Sequence, residues 1–536
     1  MNSLTSTHSS YMGRYYMLAL FIYSAAVLLY ITHNYHGICP DEAAYYNIAL
    51  KYRDGHFKEA LNAYWSPLLS WLMVPLSCIP AFAFYEIMIV NFFSGILIIY
   101  VARRFSRRHQ LTPVAELFFL FTVVILSIFI QMPLFGADFL STVAFVTYIF
   151  LVSSIRNEQR SYFYLLTATG ALFCAFGKSI FIFYILAHLL VLTGFSLLQK
   201  NKNRIYTFNL LKILFIFTAV IAIWVALLSW KYGRFMINSS AAYNFTLFSP
   251  QGYLPHYGAV SGLLEPPDQY SVIHWVDPTY YPVQKRAIFE SKESLLFEWG
   301  ILKYNLRLAY YTFSYFSYLK IGLLLFLFIP FLLKQKEERK QLFIYLLSPL
   351  AILAAYTLIF VEERYLIGCQ FMIFIAVFFS FHCLIKEKFS SDKKIKWLYL
   401  ASLLLICISF LKNSTLQFAT WQSYHKEFEP MMKVEEEIVK LPFLKNKKLA
   451  NGPFRYSGHS LDYISFRTGS RGYGNTKTLD SDSAQYLDLK KHSIDYYFHQ
   501  QDLSEEKKLP SFLKDKTPAY ISADSCVMIF SMKPYQ

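Results

Sequence analysis

Asp41 and Glu42 stand side by side in CPDEAAYYNIALKYRDGHF, a few residues past the uncharged apolar run Tyr15–Thr32. A run of roughly 20 apolar residues crosses a bilayer, so this pair sits at a membrane surface. A carboxylate there can take a proton from a hydroxyl as a new bond forms. Acids in the first turn of a helix also offset its macrodipole by a few tenths to about 1 kcal/mol, and position alone leaves both roles open. Asp138, in QMPLFGADFLSTVAF between two later apolar runs, adds another acid, which also reads as a helix N-terminal residue.

Two cations share this pattern. Lys178 interrupts the apolar stretch ALFCAFGKSIFIFY, where a charge is costly. Arg364 stands in FVEERYLIG, where one apolar run ends and the next begins. Snorkelling is the plain reading of the lysine, and an ion pair with Glu362 or Glu363 is that of the arginine. Tyr45 and Trp65 complete the candidate substrate-binding set. With an inside N-terminus, all these residues fall on the outer face. Two or three acids and two cations there suit transfer of a sugar from a lipid phosphate. The acceptor needs one base, and the phosphate leaving group needs cations rather than a general acid. Glycoside hydrolysis differs in using two carboxylates.

The elements that must position these residues are membrane helices. Of 536 residues, 55% are hydrophobic and 16% charged, with a mean hydropathy of +0.33. The apolar residues come in blocks, and backbone in lipid must satisfy its own hydrogen bonds. About eleven spans are expected, near Tyr15–Thr32, Phe84–Val101, Val114–Gln131, Phe139–Ser154, Phe163–Phe176, Ser179–Leu198, Leu210–Trp230, Tyr315–Leu333, Leu342–Val361, Tyr365–Ile385 and Trp397–Leu411. The net charge of +16 follows topology. Basic residues such as Arg103, Arg104, Arg107 and Arg108, or Lys334, Lys336, Arg339 and Lys340, gather in every second loop, which the positive-inside rule makes cytoplasmic. No base-reading motif suggests a nucleic-acid partner.

Residues 1–411 are thus expected to form the membrane domain, with outer loops over 34–83 and 231–307. Residues 412–536 are expected to form a small extracytoplasmic α/β domain. In the first loop, Pro40 suits the first position of a helix. Ala44, Tyr45, Ile48, Ala49 and Tyr52 recur at helical spacing, as in a helix lying in the interface. The piece WSPLLSWLMVPLSCIP, broken by prolines, reads as re-entrant or superficial. In the tail, KKLAN, IDYYFHQ, PAYISA and CVMIFSM read as strands, and TGSRGYGN as a turn. Five of the seven cysteines lie in apolar runs; Cys39 and Cys526 lie in outer segments, and no zinc-type spacing occurs.

These motifs resemble the polytopic GT-C glycosyltransferases, especially the bacterial branch of protein O-mannosyltransferases and lipid A aminoarabinose transferases. PDEAAYYNIALKYRDGHFKEALNAYWSPLLSWL, GADFLSTVAF, FGKSIFIFY and EERYLIG carry the resemblance, which covers the membrane region to about Ile385. It implies that Asp41 is the catalytic carboxylate, that Glu42 supports it, and that Asp138 is the second outer-loop acid. Lys178 and Arg364 would grip the lipid phosphate. It further implies a multi-pass protein of the plasma (inner) membrane, a polyprenyl-phosphate sugar donor, and a lipid, glycan or protein acceptor. The chain departs from the aminoarabinose branch at Tyr64-Trp65-Ser66-Pro67-Leu68, where that branch carries Glu and Lys. No cofactor is assigned from these residues. A divalent metal is left open, with His56, His256 and His274 as scattered candidate ligands. A flippase for lipid-linked sugars is the alternative reading. It would line a path with mid-membrane polar groups, of which Lys320 is the candidate. A sensor or scaffold acting through the outer tail is a third.

Overall fold

The computed structural model describes residues 2–33, 40–79, 85–131, 136–155, 162–198, 204–246, 248–249, 252–253, 262–281, 291–316, 336–388, 397, 400–408, 433–452, 459–477, 480–500, 509–523 and 526–533. The chain forms two compact units. One comprises Met1–Tyr35, Phe84–Leu227 and Ile288–Gln422; the other comprises His36–Ala83, Leu228–Ala287 and Ser423–Gln536.

The first unit is a helix bundle. Across the described residues, eight helices are long and apolar enough to cross a membrane, including Glu86–Arg108, Ala137–Ser154, Ile180–Leu198 and Arg364–Leu384. The protein is therefore a helical, polytopic membrane protein. Phe163–Gly177 is helical as expected but only 15 residues long, and most of the expected span Tyr315–Leu333, with Lys320, lies outside the described residues. The expected total of eleven is thus not established. The helix Lys292–Phe316 begins well inside the stretch read as outer loop. It presents Ile301, Asn305, Ala309 and Thr312 inward, and Asn305 Nδ2 donates to the Thr357 carbonyl at 3.1 Å.

Ala137–Ser154 and Arg364–Leu384 are the most enclosed spans. Phe119 stacks on Phe374 at 5.7 Å and meets Phe378 at 5.0 Å, a pair one helical turn apart. Peripheral helices leave Phe21, Phe195 and Phe215 more than 60% exposed. In a bundle bounded by lipid such side chains need no protein partner.

The second unit is built on a five-stranded mixed sheet in the order Arg471–Asn475, Lys448–Asn451, Tyr496–Gln500, Val527–Ser531, Tyr520–Ile521. The first two pairings are parallel and the last two antiparallel. The four expected strands of the tail are all present. The segment RGYGN, read as a turn for its two glycines, is a strand instead. Gly472 permits close packing here, because a Cβ would lie 2.6 Å from Ser465 Oγ, and Gly474 takes φ +83°. The helices His459–Thr468 and Asp482–Lys491 make the crossovers between parallel strands.

Residues from the loop before Ala287 complete this sheet's core. Leu263 packs with Ala450, Tyr473, Tyr497 and Phe530. Gly472 N–H donates to the Val272 carbonyl at 2.7 Å, and Leu264 N–H to that of Tyr473 at 2.8 Å. The Pro40–Arg53 helix lies in the same unit. Both its Ala44–Tyr45–Ile48–Ala49 face and Glu42, Tyr46, Asn47 and Lys51 are buried. The expectation of a helix lying half in an interface is corrected: protein encloses most of its circumference. It packs against Leu68–Ser77, a ten-residue helix too short to span, and Tyr46 meets Phe466 at 5.5 Å.

Burial gives this unit a pH dependence. Asp462, on the His459–Thr468 helix, is 6% exposed, and desolvation pushes its carboxyl up to about 8 from 3.8. The folded state then holds a proton that the unfolded state releases between those values. Stability is lost as pH rises through that window, by roughly 1.4 kcal/mol per unit. Asp462→Asn is expected to melt higher than the wild type at pH 8, the gap closing as pH falls toward 4. Thermal unfolding in nanodiscs measures it; a constant gap contradicts the assignment.

Candidate functional site

Asp138, Lys178 and Arg364 come from three places in the sequence and meet in the first unit. Asp138 occupies the first turn of Ala137–Ser154. Lys178 follows the last turn of Phe163–Gly177 in extended conformation, which breaks the helix and turns the chain into Ile180–Leu198. Arg364 lies on the 3-10 turn Glu363–Leu366 that leads into Ile367–Lys388. Three helix ends therefore supply one small pocket, also lined by Ser141, Thr142, Tyr356 and Tyr365.

Lys178 Nζ donates to Asp138 Oδ1 in a short ion pair, and Arg364 Nε approaches Asp138 Oδ2 at 4.0 Å. Arg364 Nε also donates to Glu362 Oε2 at 2.6 Å, the local ion pair that the sequence left open. The Lys178 ammonium sits 3.9 Å above the Tyr365 ring, and the Arg364 guanidinium lies 5.5 Å from the same ring. A tyrosine face flanked by two cations holds both in place. Asp138 thus sits among cations, as a counter-ion does.

Asp41, Glu42, Tyr45 and Trp65 belong to the second unit. Asp41 and Glu42 occupy the first turn of Pro40–Arg53, as the acidic pair after Pro40 predicts. Asp41 Oδ1 accepts from the Trp275 indole N–H at 2.9 Å. Glu42 and Tyr45 are buried, and Tyr45 packs on Trp65 at 5.1 Å between ring centres. Trp65 in turn donates its indole N–H to the Trp275 carbonyl at 2.9 Å.

Sequence reading missed the strap that carries Trp275. Residues 268–279 are fixed by two Lys–Asp pairs, one buried and one with its aspartate partly exposed. Lys51 Nζ donates to Asp268 Oδ2 and Ser271 Oγ, both at 2.7 Å. Lys231 Nζ and Tyr232 OH each donate to Asp277 Oδ2 at 2.7 Å, and Lys231 also reaches the Leu61 carbonyl. Asn62 Nδ2 donates to the Val276 carbonyl at 2.7 Å. The sequence signal was weak: Lys51 falls beside apolar residues that recur at helical spacing.

Of the candidate histidines, His56 and His274 lie among the described residues. His56 stacks on Tyr270 at 3.5 Å. Burial pushes the His274 imidazole down to about 4, and it packs on Trp275 and Tyr281. His256 and Cys39 lie outside the described residues. Among the described residues no group of three or more His, Cys, Asp or Glu is arranged to hold a metal ion.

No protein-family model matches the sequence, and no curated protein does. The similarity appears in three dimensions. The structure of ArnT from Cupriavidus metallidurans, crystallised bound to undecaprenyl phosphate, superimposes with a TM-score of 0.55 at 11% identity over 98% of this chain and 98% of that one. Agreement over nearly the whole of both chains, with so little sequence in common, is agreement of architecture. The chain shares the fold of ArnT.

Proposed function

We propose that this protein is an integral-membrane glycosyltransferase that moves a sugar from a polyprenyl-phosphate donor to an acceptor hydroxyl. The observation that carries the proposal is the Asp138–Lys178–Arg364 cluster at three helix ends, in a chain whose fold matches a protein crystallised with undecaprenyl phosphate. Lys178 and Arg364 bind the donor's phosphate and stabilise the charge it gathers on leaving. Asp138 positions the two cations rather than taking a proton. Asp41 accepts the proton of the acceptor hydroxyl, with Glu42 in support. The acceptor oxygen bonds to the anomeric carbon, the bond from that carbon to the phosphate oxygen breaks, and polyprenyl phosphate departs. Attack opposite the leaving group inverts that carbon.

The basic loops favour a cytoplasmic N-terminus in the plasma membrane, with the chemistry on the extracytoplasmic face. The acceptor is a lipid, a glycan or a protein. Binding tests the phosphate site. Undecaprenyl phosphate titrated onto the full-length protein in nanodiscs should be retained. Lys178→Met and Arg364→Met should each weaken retention about tenfold to a hundredfold, as loss of a charge-assisted hydrogen bond does. A double variant that binds as the wild type does would remove both residues from phosphate recognition.

A further inference from the structure

We propose that Trp275 is a positioning residue for the Asp41 carboxylate. The inference rests on the reading of Asp41 as the base and adds a group that orients it. A carboxylate on a short side chain in the first turn of a helix has several rotamers of similar energy. Only some aim a lone pair at an incoming hydroxyl. The indole N–H of Trp275 lies 2.9 Å from Asp41 Oδ1 and selects one of them.

The donor is itself held. Its ring packs against Tyr64, Trp65 and Tyr243 at 5.4–5.8 Å between centres. Its backbone carbonyl accepts from Trp65, and the next carbonyl accepts from Asn62. On one side the strap is fastened by Lys51 to Asp268 and Ser271, and on the other by Lys231 to Asp277. The neighbouring Ile273 forms a parallel bridge with Gly472 of the sheet. A donor fixed at this many points costs little ordering when the proton moves, and so suits a group that must hold a base in one geometry.

The test uses full-length protein labelled with 15N-tryptophan in nanodiscs. One of eight indole resonances disappears in Trp275→Phe, which assigns it. That resonance should move in Asp41→Ala, while the other indoles stay in place. Trp275→Phe keeps the ring and removes the donor. It should slow sugar transfer, followed by the mass of the glycan product in cells, about tenfold to a hundredfold. Binding of undecaprenyl phosphate should stay within about twofold of wild type, which a general loss of structure would not allow. Trp275→His, which restores a ring N–H, should be faster than the Phe variant. An indole resonance unmoved by Asp41→Ala, or a Phe variant transferring at the wild-type rate while Asp41→Asn is inactive, overturns the role of Trp275 and leaves the proposed function standing. Full transfer by Asp41→Asn instead overturns the base on which the inference rests.

Discussion

Asp41→Asn is expected to lower transfer by about a hundredfold to ten-thousandfold, the usual span for removing a positioned general base. The amide is nearly the size of the carboxylate. Its oxygen can still accept the Trp275 indole N–H that Asp41 accepts at 2.9 Å. The first turn of Pro40–Arg53 keeps Glu42 as an N-terminal acid, so the macrodipole stays partly compensated. The variant should reach the membrane at the wild-type level and melt within a degree or two of it. Proton acceptance is what it lacks. Comparing product mass against time in cells carrying either form, at matched protein level, gives the ratio directly. A capping role alone would predict the reverse: a modest stability change and an unaltered rate.

The second large effect falls on folding. Asp277→Ala should destabilise the second unit by about 3–5 kcal/mol, the cost of leaving a buried charge without its partner. The side chains of Lys231 and Asp277 are 2% and 1% exposed. With Asp277 gone, the Lys231 ammonium faces only neutral acceptors, among them the Glu59 and Leu61 carbonyls, and Tyr232 loses the acceptor of its hydroxyl. A loss of that size is a large share of the 5–15 kcal/mol that ordinarily separates folded from unfolded chains. Replacing both partners with apolar residues, Lys231→Met with Asp277→Leu, should recover much of it, because no charge then remains buried. Thermal unfolding in nanodiscs measures both. An Asp277→Ala variant as stable as the wild type would mean that the pair does not fasten the strap.

The sequence disclosed the membrane bundle through uncharged apolar blocks, since lipid forces such runs into helices. It also disclosed every charged member of the first-unit cluster. Lys178 was conspicuous because it interrupts an apolar stretch where an unpaired charge is costly, and Asp138 and Arg364 because each stands between two apolar runs. What it could not show was that Asp138 pairs with Lys178. That contact is set by the helix break after Gly177 and spans 40 residues.

The strap was illegible for a related reason. Lys51 and Asp268 lie 217 positions apart, and Trp275 and Asp41 lie 234 apart. Lys231 ends an apolar run and passes for a snorkelling residue. Asp277 sits in a proline- and tyrosine-rich stretch with no period to read. The RGYGN strand was hidden by glycines that usually mark turns. Here Gly472 serves the close approach of Ser465 instead. The Pro40–Arg53 helix was readable as a helix but not as an enclosed one, because the segments that cover Tyr46, Asn47 and Lys51 arrive more than 200 residues later.

The proposed function requires this chain to transfer a sugar from a lipid phosphate carrier. Its most direct measurement is the mass of surface glycans and lipids from cells with and without the gene. A species heavier by one sugar residue should be present in the wild type, absent in the deletion strain, and restored by wild-type protein but not by Asp41→Asn. Identical glycan and lipid masses in the wild type and the deletion strain would contradict it.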